Sequence, residues 1–253
     1  MKSSIADAFE TTLEEERYFA RKELAACYRL VAHFGMTDTI YNHISLRVPG
    51  YHDRFYINAF GLMYEEITAS NLVTVDLEGS IVDDPTGLGI NPAGFVIHGA
   101  IHGARHDVAC VLHTHSIAGV GVSAQEHGLL PISQHAALFH GLLSYHDSEG
   151  IAVDSDECAR LVEDLGDKPA MILRNHGLLT AGRTVGEALQ LMINLDTACR
   201  AQIAALAGGA PVIRLSDKAL ESTADTVARL ADYDKDWAAL LRLADRVSPG
   251  YAD

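Results

Sequence analysis

The chain has 253 residues, 48% of them hydrophobic and 21% charged, with a formal net charge of −15. With no run of Lys or Arg to offset that charge, attraction to nucleic-acid backbones or anionic membrane surfaces is excluded as the basis of function. Roughly 70–75% of the unfolded surface is buried at this length, so a core forms without help from disulfides or a structural metal. The four cysteines, Cys27, Cys110, Cys158 and Cys199, are scattered and form no CxxC pair, which reads as buried apolar residues in a reducing compartment. The N-terminus carries Asp7, Glu10 and Glu14 to Glu16 rather than the basic and apolar regions of a signal peptide. No apolar run approaches the ~20 residues of a membrane span. A cytoplasmic protein is expected.

Thr12 and Glu15 have the spacing of a capping box, and Leu24, Tyr28 and Val31 then recur at helical spacing up to Gly35. Strands are expected over 40–48, 54–60 and 72–76, and Glu78-Gly79 turns the chain into Ile81-Val82 as a hairpin. Residues 95–105 read as a short helix, and 109–116 (ACVLHTHS) as a buried strand. Short strands and loops are expected over 131–153, then a helix over 156–165. Residues 170–173 and 177–180 form a strand pair bent around Asn175, His176 and Gly177. Thr184 and Glu187 open a long helix that ends at Gly208-Gly209. From Asp217 to Arg246 the chain is helical. With no internal repeat or linker, one domain spanning 1–253 is expected: an α/β fold of three α/β/α layers about a mixed, largely antiparallel sheet, with C-terminal helices from about 217.

His113 and His115 stand out among the 13 histidines. On a strand, residues i and i+2 face the same side, so two imidazoles converge there and need partners. A divalent cation would serve, as would backbone carbonyls, and spacing alone leaves both readings open. His176 sits beside a glycine at a strand end, where a side chain can project from the sheet.

The segments NHISLR (42–47), FVIHGAIHGARHDVACVLHTHS (95–116) and ILRNHGLLTAG (172–182), in this order and spacing, resemble the class II aldolase/adducin family over about residues 20–210. The resemblance implies that His113, His115 and His176 hold a divalent metal ion, with Zn expected and Mn or Fe as alternatives. It implies that Asn42, Ser45 and Gly61 bind substrate, that His98 is a functional residue beside the ligands, and that the protein is a homotetramer in which Tyr145 or His140 can reach a neighbouring site. Strand-edge hydrogen bonding remains the alternative for Asn42 and Ser45. The family's aldolases carry a catalytic glutamate a few residues before the position of His98; Gly94 stands there in this chain, and NPAGFVIH, GLLPISQ and YHDSEGI are closer to the adducin-like branch. The function so implied is a metal-dependent carbon–carbon lyase, by retro-aldol cleavage or decarboxylation of a small hydroxylated carbonyl or carboxylate compound, with His98 and Tyr145 as candidate proton carriers. An Fe-dependent oxygenase and a non-catalytic adducin-like binding module are the alternatives.

Overall fold

A computed structural model describes the backbone of residues 5–150 and 155–253 and the side chains of 12–150 and 158–253. Eight strands form a single sheet: β1 His43–Arg47, β2 Arg54–Ile57, β3 Val73–Asp76, β4 Ile81–Asp83, β5 Cys110–Thr114, β6 Leu143–His146, β7 Ala170–Leu173 and β8 Gly177–Gly182. Their order across the sheet is β4-β3-β2-β1-β5-β8-β7-β6. Every pairing is antiparallel except β6 with β7, which is parallel. The sheet is therefore mixed and largely antiparallel, as expected.

Eight α-helices accompany the strands among the described residues: α1 Ile5–His33, α2 Pro92–Ala104, α3 Ile117–Ser123, α4 Gln134–Ala137, α5 Ser155–Leu165, α6 Val185–Leu206, α7 Asp217–Leu230 and α8 Tyr233–Val247. The period-2 pattern of the central strands sorts the helices into layers. Ile44, Leu46, Cys110, Leu112, Ile172 and Leu178 point to one face, where they share a core with Leu24, Tyr28 and Val31 of α1 and Leu189, Met192 and Leu195 of α6. The alternate residues Val111, Met171, Leu173 and Leu179 point to the other face and pack on Ile97 and Ile101 of α2 and on Leu161 and Leu165 of α5. Three α/β/α layers follow. The same alternation turns His43, Ser45 and His113 toward α2, away from the larger core.

Several local expectations change. Helix α1 begins at Ile5, so Thr12 falls inside it and is not its N-cap. Thr184 does cap α6, its hydroxyl accepting from the Glu187 N–H at 3.1 Å. Segment 117–123, where the sequence pattern marks no element, is helix α3, capped by Ser116. The helical region from 217 divides at Ala231-Asp232, where Asp232 caps α8 by accepting from the Lys235 N–H. Strand β5 stops at Thr114, so His115 lies just beyond it. Among the described residues, no helix is long and apolar enough to cross a membrane.

Candidate metal centre

Two neighbouring strands bring the three histidines together. His113 lies on β5 opposite Leu179 of β8. His115 follows at the strand end, and His176 sits in the tight turn between β7 and β8. That turn is closed by the His176 N–H donating to the Leu173 carbonyl at 3.1 Å and by Asn175 in the left-handed region at φ 57°, a conformation Asn tolerates better than most residues. Gly177 allows the turn to lie against β5, since a Cβ there would come within 2.4 Å of the Thr114 carbonyl oxygen.

The Nε2 atoms of His113 and His115 are 2.9 Å apart, as are those of His115 and His176. One ligating nitrogen from each of the three lies within 4.8 Å of the others. The outward nitrogens show what this arrangement means. His113 Nδ1 meets the Leu178 carbonyl at 2.9 Å, and an imidazole nitrogen facing a carbonyl must carry the proton. His115 Nδ1 meets the Asp38 carboxylate at 2.9 Å, which fixes the same tautomer. Both Nε2 atoms therefore present lone pairs to each other at contact distance. That geometry is repulsive unless a positive charge sits between them. A proton is opposed by burial, which together with the neighbouring imidazoles pushes His113 well below its ordinary pKa and His176 down to about 4. A divalent cation fits: Zn–N bonds of about 2.0–2.1 Å in a tetrahedral site separate ligand nitrogens by roughly 3.3 Å, a small expansion of the trio. Asp38 and the Leu178 carbonyl then act as the outer partners that metal-binding histidines need.

The trio opens on a cavity of about 460 Å³ that Tyr41, His43, Asn91, Ile97 and Asn175 also line. His43 is buried, with burial first and then His115 and His176 depressing its pKa to about 3.

The remaining predicted residues fall elsewhere. Ser45 does not reach the cavity; its hydroxyl bridges His98 Nδ1 at 2.5 Å and His102 Nε2 at 2.8 Å. His98 and His102 are fully buried, and burial, foremost, keeps both neutral, His98 well below its ordinary pKa and His102 at about 3. Asn42, next to His43 in the chain, is buried, and its side-chain amide has no protein partner among the described residues. Gly61 occupies a turn at φ 111°. Tyr145 accepts from the Leu129 N–H at 3.0 Å and, with His140, lines a separate cavity. Sequence reasoning missed two residues at the centre. His43 had a signal, because strand alternation across the β1–β5 pair places it opposite His113; Asp38, in the loop before β1, had none.

The profile of the class II aldolase and adducin N-terminal domain matches residues 22–203. The chain belongs to the class II aldolase and adducin family. A solved aldolase II superfamily protein from Pseudomonas syringae is 52% identical, with a TM-score of 0.88, covering 94% of this chain and 96% of that one. An L-fuculose 1-phosphate aldolase from Glaciozyma antarctica superposes with a TM-score of 0.83 at 28% identity, covering 98% of this chain and 94% of its own. Alpha-adducin from Rattus norvegicus is 49% identical over 189 residues, which are 74% of this chain but 26% of the adducin. Family membership thus joins aldolases and adducins on one scaffold, and this chain shares the aldolase fold and carries a histidine trio suited to the divalent metal on which class II aldolases depend.

Proposed function

We propose that the protein is a divalent-metal-dependent carbon–carbon lyase acting on a small hydroxylated carbonyl or carboxylate compound. The carrying observation is the convergence of three imidazole Nε2 atoms at the mouth of a cavity, with outer partners already in place for His113 and His115. A cation held by His113, His115 and His176 supplies Lewis-acid polarisation of a substrate oxygen and stabilises charge that develops during cleavage. The chain's own groups do the rest. Leu178 and Asp38 hold the two ligand tautomers. The apolar flank of Ile97 and Ala93 excludes water, while Asn91 and Asn175 offer amide groups to substrate oxygens. The lining contains no Lys or Arg among the described residues, which suits a hydroxylated acid or carbonyl compound better than a phosphate ester. Decarboxylation is favoured over retro-aldol cleavage, because among the described residues the only lining carboxylate, Asp38, is engaged by His115, and none of them offers a free carboxylate base at the cavity to take a hydroxyl proton. Tyr145 and His140 sit away from the trio within one chain; in a homotetramer they would serve a neighbouring subunit's site.

A second reading, a non-catalytic binding module, is favoured by the 49% identity to alpha-adducin. The two are separated by incubating Zn- or Mn-loaded protein with a panel of three- to six-carbon hydroxy acids and hydroxy ketones and following aldehyde and carbon dioxide release by NMR. Turnover that disappears in His113→Ala/His115→Ala supports the lyase. Metal uptake without turnover across the panel supports the binding module.

A further inference from the structure

His43 opens strand β1 directly opposite His113, and its ring stacks on that of His113 at 6.2 Å between centroids and an angle of 15°. Its other neighbour is His98, met edge-on at 5.8 Å. The residue is 6% exposed, yet neither ring nitrogen has a hydrogen-bond partner among the described residues. It lines the same cavity as the trio but does not belong to the group whose nitrogens lie within 4.8 Å of one another. A role as fourth ligand is thus not what its place supports.

The space it fills is kept for it. A Cβ on residue 94 would lie 2.3 Å from His43 Cδ2, 2.4 Å from Nε2 and 2.6 Å from Cε1, so any side chain at that helix position would collide with the imidazole where it stands. Gly94 and His43 form a matched pair. A buried polar ring with both nitrogens unpaired is costly, and this one stands beside the position where a metal-bound ligand would sit. Each neutral imidazole offers one donor and one acceptor, which matches a hydroxyl or carboxylate oxygen.

We propose that His43 is a substrate-contacting residue, hydrogen-bonding an oxygen of the ligand seated at the histidine trio, in space that Gly94 leaves open. This rests on the metal-centre reading above, and the test separates the two. Zn-loaded wild type, His43→Phe and His43→Leu are titrated with acetohydroxamate, a small bidentate oxygen chelator, by isothermal calorimetry, after Zn affinity has been measured for each. Both replacements fill the volume without a polar atom, and circular dichroism identifies the one that keeps the fold. The expected result is Zn affinity within about threefold of wild type and acetohydroxamate binding weaker by roughly five- to tenfold. Equal acetohydroxamate binding in wild type and variants overturns the proposal and leaves His43 a packing residue. Loss of Zn binding in the variants also overturns it, making His43 a ligand. Failure of wild type to bind Zn removes the metal centre and this contact with it.

Discussion

Replacing Gly94 by Ala is a direct probe of how closely the helix α2 backbone meets the His43 ring. The added methyl would lie 2.3–2.6 Å from three ring atoms, and the ring is buried, so it cannot simply swing into water. Forcing an extra carbon into such a site costs about 1–3 kcal/mol, and three simultaneous close approaches argue for the upper half of that range. Against this, Gly94 lies in the first turn of α2, where Ala is favoured over Gly by up to about 0.5–1 kcal/mol. The net expectation is a loss of about 1–2 kcal/mol, or a melting temperature lower by about 2–8 °C for a chain of this size. The decisive comparison is the same substitution in His43→Ala, where the obstacle is gone and only the helix preference remains. There Gly94→Ala should stabilise by about 0.5–1 kcal/mol, reversing its sign. Urea denaturation of wild type, both single variants and the double variant gives the coupling. An equal cost of Gly94→Ala in both backgrounds would show that His43 is not what the glycine accommodates, and the account of this wall of the cavity would fail.

Other consequences are as concrete. Asp38→Asn removes the carboxylate that fixes His115, and Zn affinity measured in competition with a chelator should fall about 10- to 100-fold. The buried neutral His98 and His102 make the metal-free protein acid-sensitive: their folded pKa values lie far below 6.5, so the unfolded chain takes up protons first. Their contribution is fully present above about pH 6.5 and is lost as pH falls toward 3, at about 2 kcal/mol per histidine between pH 7 and 5. His102→Phe, whose ring can keep the stack on Phe55, should therefore lose about 2 kcal/mol less than wild type over that interval in urea titrations. Tyr28→Phe deletes the hydroxyl that accepts from the Ile44 and Asn58 N–H groups, each at 3.0 Å. Two buried donors are left unpaired, so chemical denaturation should show a loss of about 2–5 kcal/mol.

The sheet was readable from sequence because its central strands obey simple alternation, with Ile44 and Leu46 facing one core and Val111 and Leu179 the other. The long helix after Thr184 was readable because its cap and apolar stripe agree. Helix α3 was not, since IAGVGVS carries two glycines and no charged face; its formation depends on Ser116 capping and on burial against α6. Similarly, the start of α1 was misread because a capping-box spacing occurs inside a helix that already begins at Ile5.

At the site, His113 and His115 were legible as a pair on one strand and His176 joined them through the family resemblance, although His115 lies beyond the strand end rather than in strict alternation. Ser45 shows what a motif leaves unsaid. The family resemblance implied a substrate contact, with local hydrogen bonding as the alternative, and the register turns its hydroxyl toward α2, where His98 and His102 close around it. No local pattern in residues 42–47 reveals that a helix fifty residues away will occupy that face. The same long-range encounter gives Gly94 its meaning, which is a property of a β1–α2 contact and not of the helix sequence alone.

The central claim is that His113, His115 and His176 hold a divalent metal ion. It is tested most directly by elemental analysis of protein purified without chelators or added metal, beside His113→Ala/His115→Ala. One equivalent of Zn, Mn or Fe per wild-type chain, absent from the variant, is the predicted result. Wild type that carries no metal, and in which added Zn, Mn or Fe neither binds nor raises the melting temperature, would contradict it.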